Sequence, residues 1–304
     1  MTGVRRRGLL ALAAATAVAG LAGWRLFPRR GLSDAAFEAL YATPLPPLET
    51  PSAVYHLGHS LVGRDMPAML AQLAGHPWNS QLGWGASLMN HWEDKVPGHA
   101  EENASDAYRA AGEAVDSGAY PVVVVTEMVE LRDAIRWHDS AEHLAKWAAR
   151  ARAGNPAVRI YLYETWHRLD DPQGWEARIS ADLPALWEDK VLRPAVAEAG
   201  AIHVIPGGQV MAALVAAAEA VELPGLNSRQ DFFTDDIHFS DIGAYAMALT
   251  HFAVIYGRSP QGLPHGLRRA DGSLADPPPA GAVAAMQGLV WQVVTGYALT
   301  GVKG

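Results

Sequence analysis

Four consecutive valines, Val122 to Val125, stand between Pro121 and Thr126. A strand with one face in water alternates apolar and polar residues. An unbroken β-branched run is buried on both faces, which is the condition of a parallel sheet covered by helices on each side. Comparable short apolar runs occur near 53–57, 79–83, 158–163 and 201–205. Between and after them lie longer stretches of helical periodicity near 64–74, 103–117, 138–153, 175–199, 207–221 and 240–256. Strand and helix in alternation require right-handed crossovers. The expected fold is therefore a three-layer α/β/α sandwich around a five-stranded parallel sheet, occupying residues 53–257. Residues 31–52 are broken by prolines and read as a linker or wrapping arm with one short helix near 35–41. Residues 258–304 read as a Pro/Gly-rich segment and a C-terminal helix near 282–296 that packs back on the domain.

The first thirty residues have a different character. Arg5, Arg6 and Arg7 precede an uncharged, Ala-rich run from Gly8 to Gly23, the pattern of an export signal. Arg6-Arg7 followed by Gly8, Leu9 and Leu10 fits a twin-arginine signal. Ala17-Val18-Ala19 offers a small-residue cleavage site, while Arg25, Arg29 and Arg30 suit an uncleaved membrane anchor. The folded part is expected to be exported in either case: periplasmic, secreted, or held at the outer face of the inner membrane. The 304 residues contain no cysteine, which removes disulfides, thiolate metal sites and a cysteine nucleophile. With 24 Lys+Arg against 32 Asp+Glu, a net charge of −8, the chain has no basic face for nucleic acid.

In a parallel α/β sheet, ligands bind beyond the carboxyl ends of the strands. The first strand leads into Gly58-His59-Ser60-Leu61. A serine on a tight strand-to-helix turn exposes its hydroxyl beside backbone N–H groups, which suits a nucleophile. The same position equally suits a plain helix N-cap. Near the other end, Thr234-Asp-Asp-Ile-His238 puts Asp235 three residues before His238. That spacing lets the carboxylate hold the imidazole tautomer and leaves Nε2 free as a base. An acidic turn capping the next helix, or a metal pair, would use the same residues.

Taken together, these elements resemble the SGNH hydrolases, the GDSL-type serine esterases, over roughly residues 53–256. The resemblance rests on an apolar strand followed by Gly58-His59-Ser60, and on Asp235-x-x-His238 before a helix carrying Gly243. It implies the flavodoxin-like sheet of that family, with Ser60 as nucleophile, His238 as base and Asp235 as its orienter. Asp236 is the less suitable orienter, being two residues from the histidine. The resemblance also implies an oxyanion hole made by the amides of Ser60 and a glycine after the second strand, with Gly85 the match and Gly83 the fallback. His59 stands where the family carries Asp or Asn. The chain departs further after the third strand, where the family has Gly-x-Asn-Asp with an oxyanion-donating Asn. This chain has Thr126-Glu127-Met128-Val129-Glu130 and no Asn.

An ionised Glu127 accepts hydrogen bonds and repels an oxyanion. It is expected, with Trp84, Glu164, Trp166 and His167, to line the substrate pocket. Trp84, Trp92, Trp137 and Trp166 would serve as platforms for sugar rings where they face the cleft, packing being the other use of such a ring. His91, His138, His167 and His203 have no metal-ligand spacing, and no metal or cofactor is expected. The function implied is an exported serine esterase acting on an acylated carbohydrate or another small ester, O-acetyl groups on a polysaccharide first. Acyl transfer by the same triad, a non-catalytic polysaccharide-binding scaffold, and a metal hydrolase using Asp235, His238 and another histidine are the alternatives.

Overall fold

A computed structural model describes residues 32–49 and 51–304. The export signal and the membrane anchor read from residues 1–30 lie outside the described residues. Five strands form one sheet: β1 (Val54–His59), β2 (Trp78–Gly83), β3 (Val122–Val125), β4 (Arg159–Glu164) and β5 (His203–Pro206). The order is β2-β1-β3-β4-β5, and every neighbouring pair is parallel. The chain moves outward from β1 first to one edge and then to the other, so the strand order reverses beside β1. That reversal opens a crevice at the strands' carboxyl ends.

All four valines of β3 are buried, Val122 and Val124 in one layer, Val123 and Val125 in the other. The first layer also takes Val54, Tyr161, Tyr163 and Ile205, covered by the helices Asp65–Ala74, Gly207–Glu219 and Asp241–Tyr256. The helix Ala280–Gly296 packs outside the last two of these through Ala282, Met286, Val290 and Val294. The opposite layer takes Tyr55, Leu57, Ile160, Leu162 and Val204 beneath the helices Ser140–Gly154 and Arg193–Ala199. The arm contributes to it as well. Its helix Asp34–Tyr41 is capped by Ser33 and buries Phe37 and Tyr41, whose hydroxyl donates to the Ile202 carbonyl at 2.8 Å.

Two stretches differ from the sequence expectation. The expected helix at 103–117 is helical only at Ala111–Asp116, after a separate turn at His99–Glu102. Tertiary pairing overrides the local preference: Asn103 hydrogen-bonds both the amide and the carbonyl of Leu82, and Ser80 pairs with Ala107 and Arg109. The segment thereby covers the otherwise open edge of β2. The stretch 175–199 is continuous but changes pitch, with π-helical turns over Leu183–Leu192 between α-helical ends. Pro184 and Pro194 each lack the N–H that an α-helical ladder would use there.

Candidate active site

Ser60, Asp235 and His238, the last two 175 and 178 residues beyond the serine, meet at the carboxyl end of β1. The His238 Nε2 lies 2.9 Å from Ser60 Oγ, and its Nδ1 lies 2.7 Å from Asp235 Oδ2. The other Asp235 oxygen accepts from the amides of Ile237 at 2.8 Å and His238 at 2.7 Å. Partial burial works against ionisation, but the bonds from the His238 ring and these two amides outweigh it, holding Asp235 down at about 2. A carboxylate of that kind fixes the tautomer: Nδ1–H donates to Asp235, leaving Nε2 to accept from the serine hydroxyl. Both ring nitrogens are then engaged, and neither is left for a metal. Asp236 turns the other way, to an ion pair with Arg168.

The loop bearing Asp235 and His238 is clamped from below. Thr234 N–H donates to the His238 carbonyl at 2.8 Å, Trp166 Nε1–H to that of Ile237 at 2.8 Å, and Leu169 N–H to that of Asp236 at 2.7 Å. The Trp166 indole is fully buried and sits edge-on to Phe233 and Phe239, with ring centres 5.9 and 6.1 Å away. The helix that follows is capped by Ser240.

At the Ser60 turn, Gly58 is required by close approach, since a Cβ there would fall 2.5 Å from the Thr126 side chain. The Val62 amide closes the turn onto the His59 carbonyl at 2.8 Å. On the neighbouring loop Gly85 has φ +54° and open space around its Cα. Ser60 and Gly85 thus stand on neighbouring loops, directly after the paired ends of β1 and β2. Gly83 is enclosed instead, a Cβ there falling 2.3 Å from Val96.

Of the five residues expected to line a pocket, only Trp84 is exposed, at 55 %. Glu127, Glu164 and Trp166 are wholly inaccessible and His167 nearly so, which corrects the expectation that they contact substrate. Glu164 instead accepts from the amides of Gly208 at 2.8 Å and Gln209 at 3.3 Å, fastening the start of the helix Gly207–Glu219 to β4. Burial pushes its carboxyl up to about 8 despite those bonds. His167 lies beside Asp182, 3.0 Å away, in the network that Arg178 makes with Glu130, Asp171 and Asp182. Glu127 Oε1 accepts from the amides of Met128 at 2.8 Å and Leu88 at 3.2 Å. Burial pushes its carboxyl up to about 7. A group with no accessible surface cannot meet an oxyanion, so Glu127 does not replace the missing asparagine side chain.

His91, Ser87 and Asn90, to which sequence reasoning gave no role at the site, support the same rim. His91 Nε2–H donates to the Gly58 carbonyl at 2.9 Å while its Nδ1 accepts from Gln81 at 3.0 Å. Ser87 caps the helix Leu88–Trp92 in a reciprocal box with Asn90. Only that Ser-x-x-Asn pattern left a trace in the sequence. Of the remaining tryptophans, Trp92 packs edge-on against Trp147 at 5.1 Å and Trp137 is exposed under the Arg136 guanidinium.

No protein-family model and no curated protein matches this chain. Among solved structures it is similar to one named as a GDSL-like lipase from Parabacteroides merdae, at 12% identity over 70% of this chain and 99% of that one, with a TM-score of 0.44. It is also similar to a gut microbial diltiazem-metabolizing enzyme, at 13% identity over 71% of this chain and 49% of that one, with a TM-score of 0.38. At these values the functional reading rests on this chain's own geometry.

Proposed function

We propose that this protein is a serine esterase of the SGNH type, exported, and directed to an oxygen ester such as an O-acetyl group on a polysaccharide. The observation that carries the reading is the unbroken chain of hydrogen bonds from Ser60 Oγ through His238 to Asp235. In the proposed cycle, Ser60 Oγ attacks the ester carbonyl carbon as its proton passes to His238 Nε2. The carbonyl oxygen becomes an anion facing the amides of Ser60 and Gly85. The imidazolium returns the proton to the departing alcohol, leaving an acetyl-Ser60 ester. Water, deprotonated by His238, then releases acetate and restores the serine. Asp235 stays ionised throughout, because its bonds keep it far below neutral pH.

A hole of two amides suits an ester better than an amide. Loss of one donor typically costs about 2.7 to 4 kcal/mol of transition-state stabilisation, and an ester, with its better leaving group, tolerates that loss. Two features support a carbohydrate alcohol: the exposed Trp84 ring next to Gly85, and the leader-like pattern Arg6-Arg7 before an apolar run, which directs the protein to envelope polymers.

A fluorophosphonate probe tests the reading. It should form an adduct on Ser60 in the wild-type protein and none in Ser60→Ala, which should also lose release of acetate from an acetylated polysaccharide. Acetate release surviving Ser60→Ala would defeat the proposal. Appearance of acetyl groups on an added sugar in place of free acetate would redirect it to acyl transfer.

A further inference from the structure

Three loops meet around Ser60, following β1, β2 and β3, and buried side chains bind them to one another. His59 Nδ1 accepts from the Leu61 amide at 3.2 Å, an i to i+2 bond of the kind an Asp or Asn makes at a turn. Its Nε2 must then carry the hydrogen, and donates to the Glu127 carbonyl at 2.8 Å. The imidazole thus does the local work of the shorter residue and also reaches the loop after β3. From that loop Glu127 Oε1 takes the amide of Leu88, the first residue of the helix that begins directly after Gly85-Ala86-Ser87. The same helix returns to the nucleophile loop through His91 and the Gly58 carbonyl. The circuit therefore runs from the Ser60 turn to Glu127, to the helix behind Gly85, and back to Gly58. Every side chain in it is buried.

We infer that Glu127 and His59 are positioning residues that lock the amides of Ser60 and Gly85 into one frame. A hole lacking its third donor depends the more on the placement of the two that remain, since small misplacements near reacting atoms carry large rate costs. This inference rests on the esterase reading above.

The test uses full-length protein, p-nitrophenyl acetate as substrate, and active sites counted by fluorophosphonate labelling, so that misfolded molecules drop out of kcat. A trifluoromethyl ketone provides a second readout, because its hemiketal oxygen anion occupies the hole. Glu127→Ala, which frees the Leu88 amide, should lower kcat per active site between about tenfold and about a hundredfold while KM moves less than about threefold. Affinity for the ketone should weaken by the same factor as kcat/KM. Glu127→Gln keeps the Oε1 acceptor and should restore kcat to within about threefold of wild type. Folded Glu127→Ala with unchanged kcat and ketone affinity overturns the inference, as does Glu127→Gln as impaired as the alanine variant. Should Glu127→Ala not fold, His59→Asn carries the test. Asparagine can still accept from Leu61 but is too short to reach Glu127, and kcat should fall between about threefold and about tenfold; an unchanged kcat overturns the inference. Wild-type protein that neither labels nor turns over would instead defeat the esterase reading itself.

Discussion

Two groups of histidines lie in and under the same sheet. At the carboxyl rim, His59, His91 and His238 each have both ring nitrogens hydrogen-bonded, and in each case the partners fix the tautomer. Deeper in the layer under the helix Asp241–Tyr256, His56 has neither ring nitrogen bonded, and His76 and His251 each leave Nε2 without a partner. The deep group packs as flat rings: His251 lies edge-on to Tyr163 with centres 4.6 Å apart, and His56 is tilted to His251 at 6.0 Å. Both groups are built from one residue type, but the rim rings bond through both nitrogens, whereas His76 and His251 bond through Nδ1 alone, to the Tyr256 hydroxyl and the Met247 carbonyl, and His56 serves by shape only. Hydrogen bonding of a buried polar group is worth least when both partners can be replaced together, and its loss costs most when one partner is left behind. The rim should therefore be sensitive in function and His56, in the deep layer, replaceable.

The largest contrast lies in turnover. His238→Ala should lower kcat by about 10⁴-fold or more and leave stability nearly unchanged, because the side chain is partly exposed. Adding Ser60→Ala should cost little further, since the two act as a unit. Steady-state kinetics on both single variants and the double variant check this; losses that multiply would contradict a shared proton transfer.

The rim group also marks how far the sequence could be read. The strands were legible because β-branched runs such as Val122–Val125 can be satisfied only between two helical layers. Ser60 and Asp235-x-x-His238 were legible because local spacing is part of the chemistry: three residues is the distance over which a carboxylate can reach Nδ1. The linkages around them were not. His59 meets Glu127 and His91 meets Gly58 through pairings 68 and 33 residues apart, and no periodicity records a contact of that kind. Trp166, His167 and Glu164 misled for a related reason. They end or directly follow β4 at the strands' carboxyl ends, yet the loop of Thr234–His238 holds Trp166, the helix Gly207–Glu219 holds Glu164, and Asp182 takes His167. Only the tertiary fold separates a residue that supports the rim from one that faces the crevice. The segment 103–110 failed likewise, its backbone claimed by the edge of β2.

An intermediate effect is expected from pH. Against a reference value of 6.5, burial holds His76 and His251 down at about 4, and burial with the neighbouring His251 and His76 holds His56 well below that reference. As pH falls below 6.5 the unfolded chain takes up protons that the folded chain refuses, so this group's contribution to stability is complete above 6.5 and is lost towards pH 4. Glu127 and Glu164 have the opposite sign. Raised to about 7 and about 8 from 4.5, they stabilise the fold below 4.5 and lose that contribution as pH rises through 7 to 8. The two sets oppose each other between 4.5 and 6.5, which hides either one in the wild-type curve. Comparison with His56→Leu separates them. Between pH 6.5 and pH 4 the variant should lose less stability than wild type, by on the order of 1 kcal/mol or more, in urea titrations at each pH. Parallel curves would mean that His56 is charged in the folded protein.

The smallest effect is the one that most directly tests replaceability. At pH 7.5 neither the folded nor the unfolded protein protonates His56 appreciably, so charge drops out of the comparison. What remains is two buried nitrogens without partners against a leucine of similar size, next to Val54 and under an apolar helix. Leaving a buried polar atom unsatisfied costs about 1 to 3 kcal/mol, while reshaping a packed site costs up to about 1.5 kcal/mol. The terms favour the variant, and His56→Leu should be more stable by about 1 kcal/mol with kcat within about twofold of wild type. The same change at the rim, His91→Leu, strands the Gly58 carbonyl and the Gln81 amide and should destabilise by about 1 to 3 kcal/mol. If both variants lose stability equally, the His56 ring is a bonding group after all, and the contrast between the bonded rim histidines and this space-filling one fails.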